Sequence, residues 1–112
     1  MEHGMKTLLD YTETYGTSVR LIKLLRKRES PHEYPEQCKW KLQMLYFNGE
    51  QWIELCRIDN YPHENSQGSH IHVYRKTGVQ RIALTFEQAE KTIKELSERI
   101  LKEKFNTFVS FI

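Results

Sequence analysis

Apolar and polar positions alternate with a period near two through the middle of the chain, and switch to a period near 3.6 after about residue 85. The clearest alternation runs from Lys39 to Phe47 and from Glu50 to Asp59, on either side of Asn48-Gly49. That dipeptide accepts the positive φ values of a two-residue hairpin turn. With Phe47 facing Glu50, one face collects Trp40, Leu42, Met44, Ile53 and Leu55, a core face. The other collects Lys39, Lys41, Gln43, Glu54 and Cys56, an open face. Arg57 and Asp59 share the parity of Ile53 and Leu55, which places them on the core side at the strand's end. A second hairpin is expected around Thr77-Gly78. Pairing Lys76 with Val79 sets Val73 opposite Ile82 and Ile71 opposite Leu84, with Tyr74 opposite Arg81 and His72 opposite Ala83. Both faces agree only in this register, since a one-residue slip exchanges them.

Outside the hairpins the pattern is less regular. Leu8, Leu9, Tyr11 and Tyr15 stand at helical intervals and Gly16 stops them, so residues 1–16 read as an N-terminal extension with a short helical lead. Residues 17–28 contain VRLIKLL, which suits a helix or a strand buried on both sides. Two prolines in residues 30–37 mark a loop, and residues 60–68 form the longest one. Thr85 with Gln88 makes a capping box. From Phe86 to about Lys104, Ala89, Ile93, Leu96 and Ile100 form a stripe that can cover one face of a sheet. An apolar tail, residues 105–112, follows. The expected fold is α+β: an antiparallel sheet of about five strands, a meander of hairpins, with one C-terminal helix packed on one face. Residues 1–112 read as one domain whose core is 17–104.

Apolar content of 38% and charged content of 29% are ordinary for a globular domain. There is no apolar run of membrane-spanning length and no leader pattern, which predicts a cytoplasmic protein without a membrane partner. In the expected register Lys41 faces Cys56 and Cys38 faces Asp59, so the two thiols are too far apart to pair. The net charge of +2 hides a basic run at Arg20, Lys23, Arg26, Lys27 and Arg28. Such a run is most often a solvated face, and it also permits contact with phosphates or an acidic partner.

Candidate chemistry concentrates in residues 57–74, RIDNYPHENSQGSHIHVY. On a strand, His70, His72 and Tyr74 share one face, the two imidazoles about 6.5 Å apart at roughly 3.3 Å per residue. RNA cleavage without metal needs a base for the 2′-hydroxyl proton, an acid for the leaving oxygen and a cation for the crowded phosphate. His70 and His72 can supply the first two, with Arg81, Lys41 and Lys39 on phosphate, Tyr74 supporting and Asp59 orienting an imidazole. Arg57 and Asn60 are further candidate substrate contacts. The structural alternatives are an Arg57–Asp59 ion pair at the sheet's edge and an Asx turn at Asp59-Asn60. A chelate is the rival use of the same groups. His63, His70 and His72 offer three nitrogens to zinc, with Asp59 as a fourth ligand or orienting partner. A third reading is a non-catalytic module whose open face grips a protein.

Taken together, KWKL at Lys39 to Leu42, RIDN at Arg57 to Asn60, GSHIHVY at Gly68 to Tyr74 and a phenylalanine-led helix at Phe86 resemble the TumE-like family, toxins of prokaryotic toxin–antitoxin pairs. The likeness spans about residues 16–104 and implies a first strand over Ser18 to Lys27. It implies a growth-inhibiting role checked by a cognate antitoxin protein, with Asp59, Asn60, His70 and His72 as the functional positions. The extra residues PHENSQ and the N-terminal extension depart from the family pattern. RNA is the expected substrate, no cofactor is required, and a homodimer through the apolar tail or an exposed strand is a further expectation.

Overall fold

Strand formers dominate the first half of the chain, and they assemble into one antiparallel sheet. The computed structural model describes residues 5–28, 38–60, 69–76 and 80–111. Among these residues the strands are β1 (Met5–Tyr15), β2 (Val19–Arg28), β3 (Cys38–Phe47), β4 (Trp52–Asp59), β5 (His70–Val73) and β6 (Gln80–Arg81), followed by one helix, α1 (Phe86–Phe105). The sheet order is β1-β2-β3-β4-β5-β6, so each strand pairs with its neighbour in sequence. The expected α+β class, hairpin meander and single C-terminal helix are all present.

β1 corrects the helical lead expected before Gly16. Residues 5–15 pair with β2 along their whole length, from Met5 with Arg28 to Tyr15 with Val19. Threonine and tyrosine recur through MKTLLDYTETY and favour a pleated backbone. The adjacent pair Leu8-Leu9, which breaks the period of two, is absorbed by an irregularity between Thr7 and Leu9. Gly16, at φ 65°, turns the chain into β2.

The Asn48-Gly49 turn is wider than expected. Phe47 pairs with Trp52, leaving four residues in the loop. The Asn48 carboxamide oxygen accepts from the backbone N–H groups of Glu50 and Gln51, each at 2.9 Å. A side chain that closes the loop in this way replaces the two-residue turn. A bulge follows, because Leu45 pairs with Glu54 while Met44 pairs with Cys56, and Leu55 is the extra residue. Past the bulge the β4 faces exchange. Cys56 and Ile58 join Met44 and Leu42 in the core, and Arg57 and Asp59 move to the opposite face. Lys41 therefore lies opposite Asp59, not Cys56, and Cys38 lies opposite Lys27 of β2. Both cysteines are free.

α1 covers the face that carries Trp40, Leu42, Met44 and Tyr46. Trp40 meets Phe86 edge-on at 5.8 Å, and Tyr46 meets Phe105 at 4.9 Å. The capping box is present in full: Thr85 accepts from Gln88 N–H, and the Gln88 side chain accepts from Thr85 N–H. Ala89, Ile93, Ser97 and Leu101 are the buried helix positions, with Leu96 and Ile100 half-buried beside them. Towards β1 and β2 the interface turns ionic. Lys23 bonds Glu13 at 2.8 Å and Glu90 at 2.9 Å, and Lys94 bonds Glu90 at 3.0 Å. Burial works against these charges, but the opposite partners prevail: both lysines are held above their ordinary range and Glu90 below its own. The apolar tail returns to the sheet, where Phe111 packs edge-on against Tyr15 at 4.7 Å, while Phe108 stays exposed. Among the described residues, no helix is long and apolar enough to cross a membrane.

Candidate functional site

The face opposite α1 carries no helix among the described residues, and the exchange at Leu55 decides what it presents. One rung runs Lys41–Asp59–His70–Arg81, each residue directly opposite the next on β3, β4, β5 and β6. The adjacent rung runs Gln43–Arg57–His72. Opposed side chains in such rungs have Cβ atoms about 5 Å apart, so these groups form a contiguous patch. Lys39, opposite Arg26 of β2, extends it on the other side.

Arg57 is the hub. Its Nη2 donates to His72 Nε2 at 3.0 Å, its Nε lies 3.5 Å from Asp59 Oδ2, and its Nη1 lies 3.9 Å from Glu54 Oε2. Glu54 is held in turn by Gln43 Nε2, which donates to Oε2 at 2.6 Å. A guanidinium has only donors, so the bond to His72 exists with Nε2 unprotonated and the ring proton on Nδ1. That is the form in which an imidazole accepts a proton from a substrate. The ion pair expected between Arg57 and Asp59 is present, on the uncovered face instead of the core side.

Depth separates the two histidines. His72 is half-buried, whereas His70 is 2% exposed and its neighbour Asp59 is 3% exposed. Lys39, Lys41 and Arg57 are half-buried and Arg81 is exposed, so the cations line the accessible part of the patch.

Three expected site features are corrected. Tyr74 does not join the histidines. β5 ends at Val73, Arg75 adopts a left-handed φ of 60°, and the Tyr74 ring lies 5.3 Å from Phe105 on the helix side. The second hairpin also opens by four residues, setting His70 opposite Arg81 and Ile71 opposite Gln80. An even shift preserves the faces, so Arg81 remains with the histidines. The expected turn at Thr77-Gly78 lies outside the described residues. Asn60 is spent on architecture: its Oδ1 accepts from Trp40 N–H at 2.8 Å and its Nδ2 donates to the Cys38 carbonyl at 2.7 Å. Its backbone N–H also donates to the Trp40 carbonyl at 3.2 Å, so backbone and side chain together extend the contact of β4 with β3, and Asn60 is buried.

His63 lies outside the described residues. Among those residues, no group of three or more His, Cys, Asp or Glu side chains is placed to hold a metal ion. The donor set for the zinc alternative is therefore incomplete within them. Cys56 is no substitute, because burial and then the nearby Glu54 carboxylate push its thiol up to about 12.

The hydrophobic pattern leaves two positions out of the site. Ser69 is buried, donates to the Ile82 carbonyl and accepts from Leu84 N–H at 3.0 Å, tying β5 to the segment that enters α1. Trp52 sits at the far end of the uncovered face with Arg20 above its ring. Trp52 shares the parity of Glu54 on the expected open face, and that was the available signal for the second.

No family model, no curated protein and no solved structure matches the chain. The TumE-like resemblance rests on the quoted residues alone.

Proposed function

We propose that this chain is the toxin-like member of a toxin–antitoxin pair and acts on RNA by metal-independent acid–base cleavage at the uncovered face. The observation that carries the reading is the register that sets Lys41, Asp59, His70 and Arg81 in one rung beside Arg57 and His72. In the proposed reaction His72 Nε2 takes the 2′-hydroxyl proton. The 2′-oxygen attacks phosphorus, the bond to the 5′-oxygen breaks, and His70 protonates that leaving oxygen. Asp59, opposite His70, orients its ring. Arg57 leaves His72 as phosphate arrives, and with Lys41, Lys39 and Arg81 it neutralises the developing charge. Tyr74 and Asn60 have no part in the reaction.

The test is cleavage of RNA by purified protein with excess chelator, with added zinc, and by His72→Ala. Cleavage that resists chelator and disappears in His72→Ala, while the variant melts like the parent, supports the reading. Full activity in that variant sinks it, and activity only with zinc moves the site to a metal hydrolase.

The burial of Asp59 and His70 favours a second reading, in which that rung braces the sheet and the face grips a protein partner. That module forms a stoichiometric complex and cleaves nothing. The antitoxin partner and a homodimer belong to the proposal as well. Light scattering on the purified chain reads the dimer directly.

A further inference from the structure

Arg20, Arg26, Lys39, Lys41, Arg57 and Arg81 fall on the uncovered face by register, against the acids Asp10, Glu54 and Asp59 among the described residues. Two of the acids are already engaged with Arg57. The excess suits a polyanion, and one feature of the face is unexplained by phosphate binding alone. Trp52 is 37% exposed, whereas Trp40 on the helix side is 5% exposed. Water is a poor environment for an indole, yet this one stays at the surface beside two neighbours. The Phe47 ring lies 5.2 Å away at a 45° tilt, and Arg20 Cζ sits 4.3 Å from the Trp52 ring centroid. Both Phe47 and Trp52 follow the parity of Leu45 and Glu54, so the pair belongs to the face that carries the histidines. Ile22, Leu24, Leu45 and Gln43, all half-buried, form the floor between the two ends. From Lys41 to Phe47 along β3 the distance is about 20 Å at roughly 3.3 Å per residue, the reach of a few nucleotides.

From this arrangement we infer that Trp52, supported by Phe47 and Arg20, is a base-stacking subsite, and that the substrate is single-stranded RNA laid along β3 from the Lys41 rung to Trp52. The inference deepens the proposed action on RNA and rests on it. The physical ground is that an aromatic shelf beside a cationic track offers each nucleotide both of its contacts, a ring for the base and a charge for the phosphate. A duplex keeps its base faces stacked inside and has none to give, so the shelf discriminates by strandedness and not by sequence. Arg20 adds a planar cation to the shelf, which suits a base as well as an indole does.

The experiment uses the full chain carrying His72→Ala, so that binding is read without cleavage. Fluorescence anisotropy is measured with labelled oligouridine and with a labelled blunt RNA duplex, at one salt concentration. Adding Trp52→Ala should weaken oligouridine binding about tenfold, the ordinary worth of one stacked base. Trp52→Tyr should restore most of the loss, and duplex affinity should stay where it was. Trp52→Thr, a strand former without a ring, takes the place of the alanine variant if that one does not fold. Unchanged oligouridine binding overturns the inference, as does an equal loss on the duplex, which would make the contact one of charge alone. Cleavage by the otherwise native chain then separates the two levels. If RNA is cleaved and Trp52 does not matter, the subsite fails and the proposed function stands. If the chain neither binds nor cleaves RNA, both fall.

Discussion

Asn60 is the residue whose role the structure revises most, and replacing it gives the sharpest test of that revision. Its Oδ1 accepts from Trp40 N–H at 2.8 Å and its Nδ2 donates to the Cys38 carbonyl at 2.7 Å, beside the backbone bond from Asn60 N–H to the Trp40 carbonyl at 3.2 Å. In Asn60→Ala both backbone groups lose that partner. A buried polar group left unsatisfied costs about 1–3 kcal/mol. Trp40 N–H is fully enclosed and falls at the upper part of that range, whereas the Cys38 carbonyl is only partly buried and water can reach it. The sum is about 2–4 kcal/mol, a large share of the roughly 5–15 kcal/mol that holds a domain together. Urea unfolding followed by tryptophan fluorescence reads it, and the melting temperature should drop by roughly 10 °C. Asn60→Asp sharpens the test. A carboxylate keeps the acceptor for Trp40 N–H but sets negative charge against the Cys38 carbonyl, so the variant is destabilised at neutral pH. Protonation restores a donor, so its deficit relative to the parent should shrink as the pH falls through the carboxyl range. An Asn60→Ala chain as stable as the parent, but with RNA binding lost, would refute the architectural role and return Asn60 to the substrate.

Two further outcomes follow from burial and charge. Glu90 is held below the ordinary carboxylate range by Lys23 and Lys94, against the opposing effect of burial. Its contribution to stability is present above that range and lost as pH falls through the depressed value. Melts of the parent and Glu90→Gln should therefore differ at neutral pH and converge in acid, and a gap that persists in acid contradicts the ion pairs. Cys56, buried and pushed up to about 12, should resist a thiol reagent in the native protein while half-buried Cys38 reacts. Equal labelling of both in native conditions would contradict the packing of β4. These join the expected loss of cleavage in His72→Ala and the tenfold loss of single-strand binding in Trp52→Ala.

Local chemistry made much of the molecule legible in advance. The helix start is written in Thr85 and Gln88, whose side chains satisfy the first turn wherever the helix lies. Its stripe follows from the 3.6-residue period, with Ala89 and Ile93 buried as expected. The hairpin order follows from alternation and turn residues, and His70 and His72 share a face because side chains on a strand repeat every second residue. Alternation alone puts Asp59 and Arg57 on the core face, and the exchange that moves them is something alternation cannot contain. A bulge sets two residues against one, and it is defined by the partner strand as much as by its own. Leu55 looks like any other strand leucine until Met44 and Leu45 are seen pairing on either side of it. The same holds for β1, where Leu8-Leu9 reads as helical in isolation and as a strand once β2 supplies its hydrogen bonds. Sequence by itself determined the central hairpins, the C-terminal helix and the nature of the reactive groups. Tertiary pairing alone decided which of those groups meet, because register and bulges are properties of two strands at once, and one exchange of faces turned a scattered set of charges into a rung.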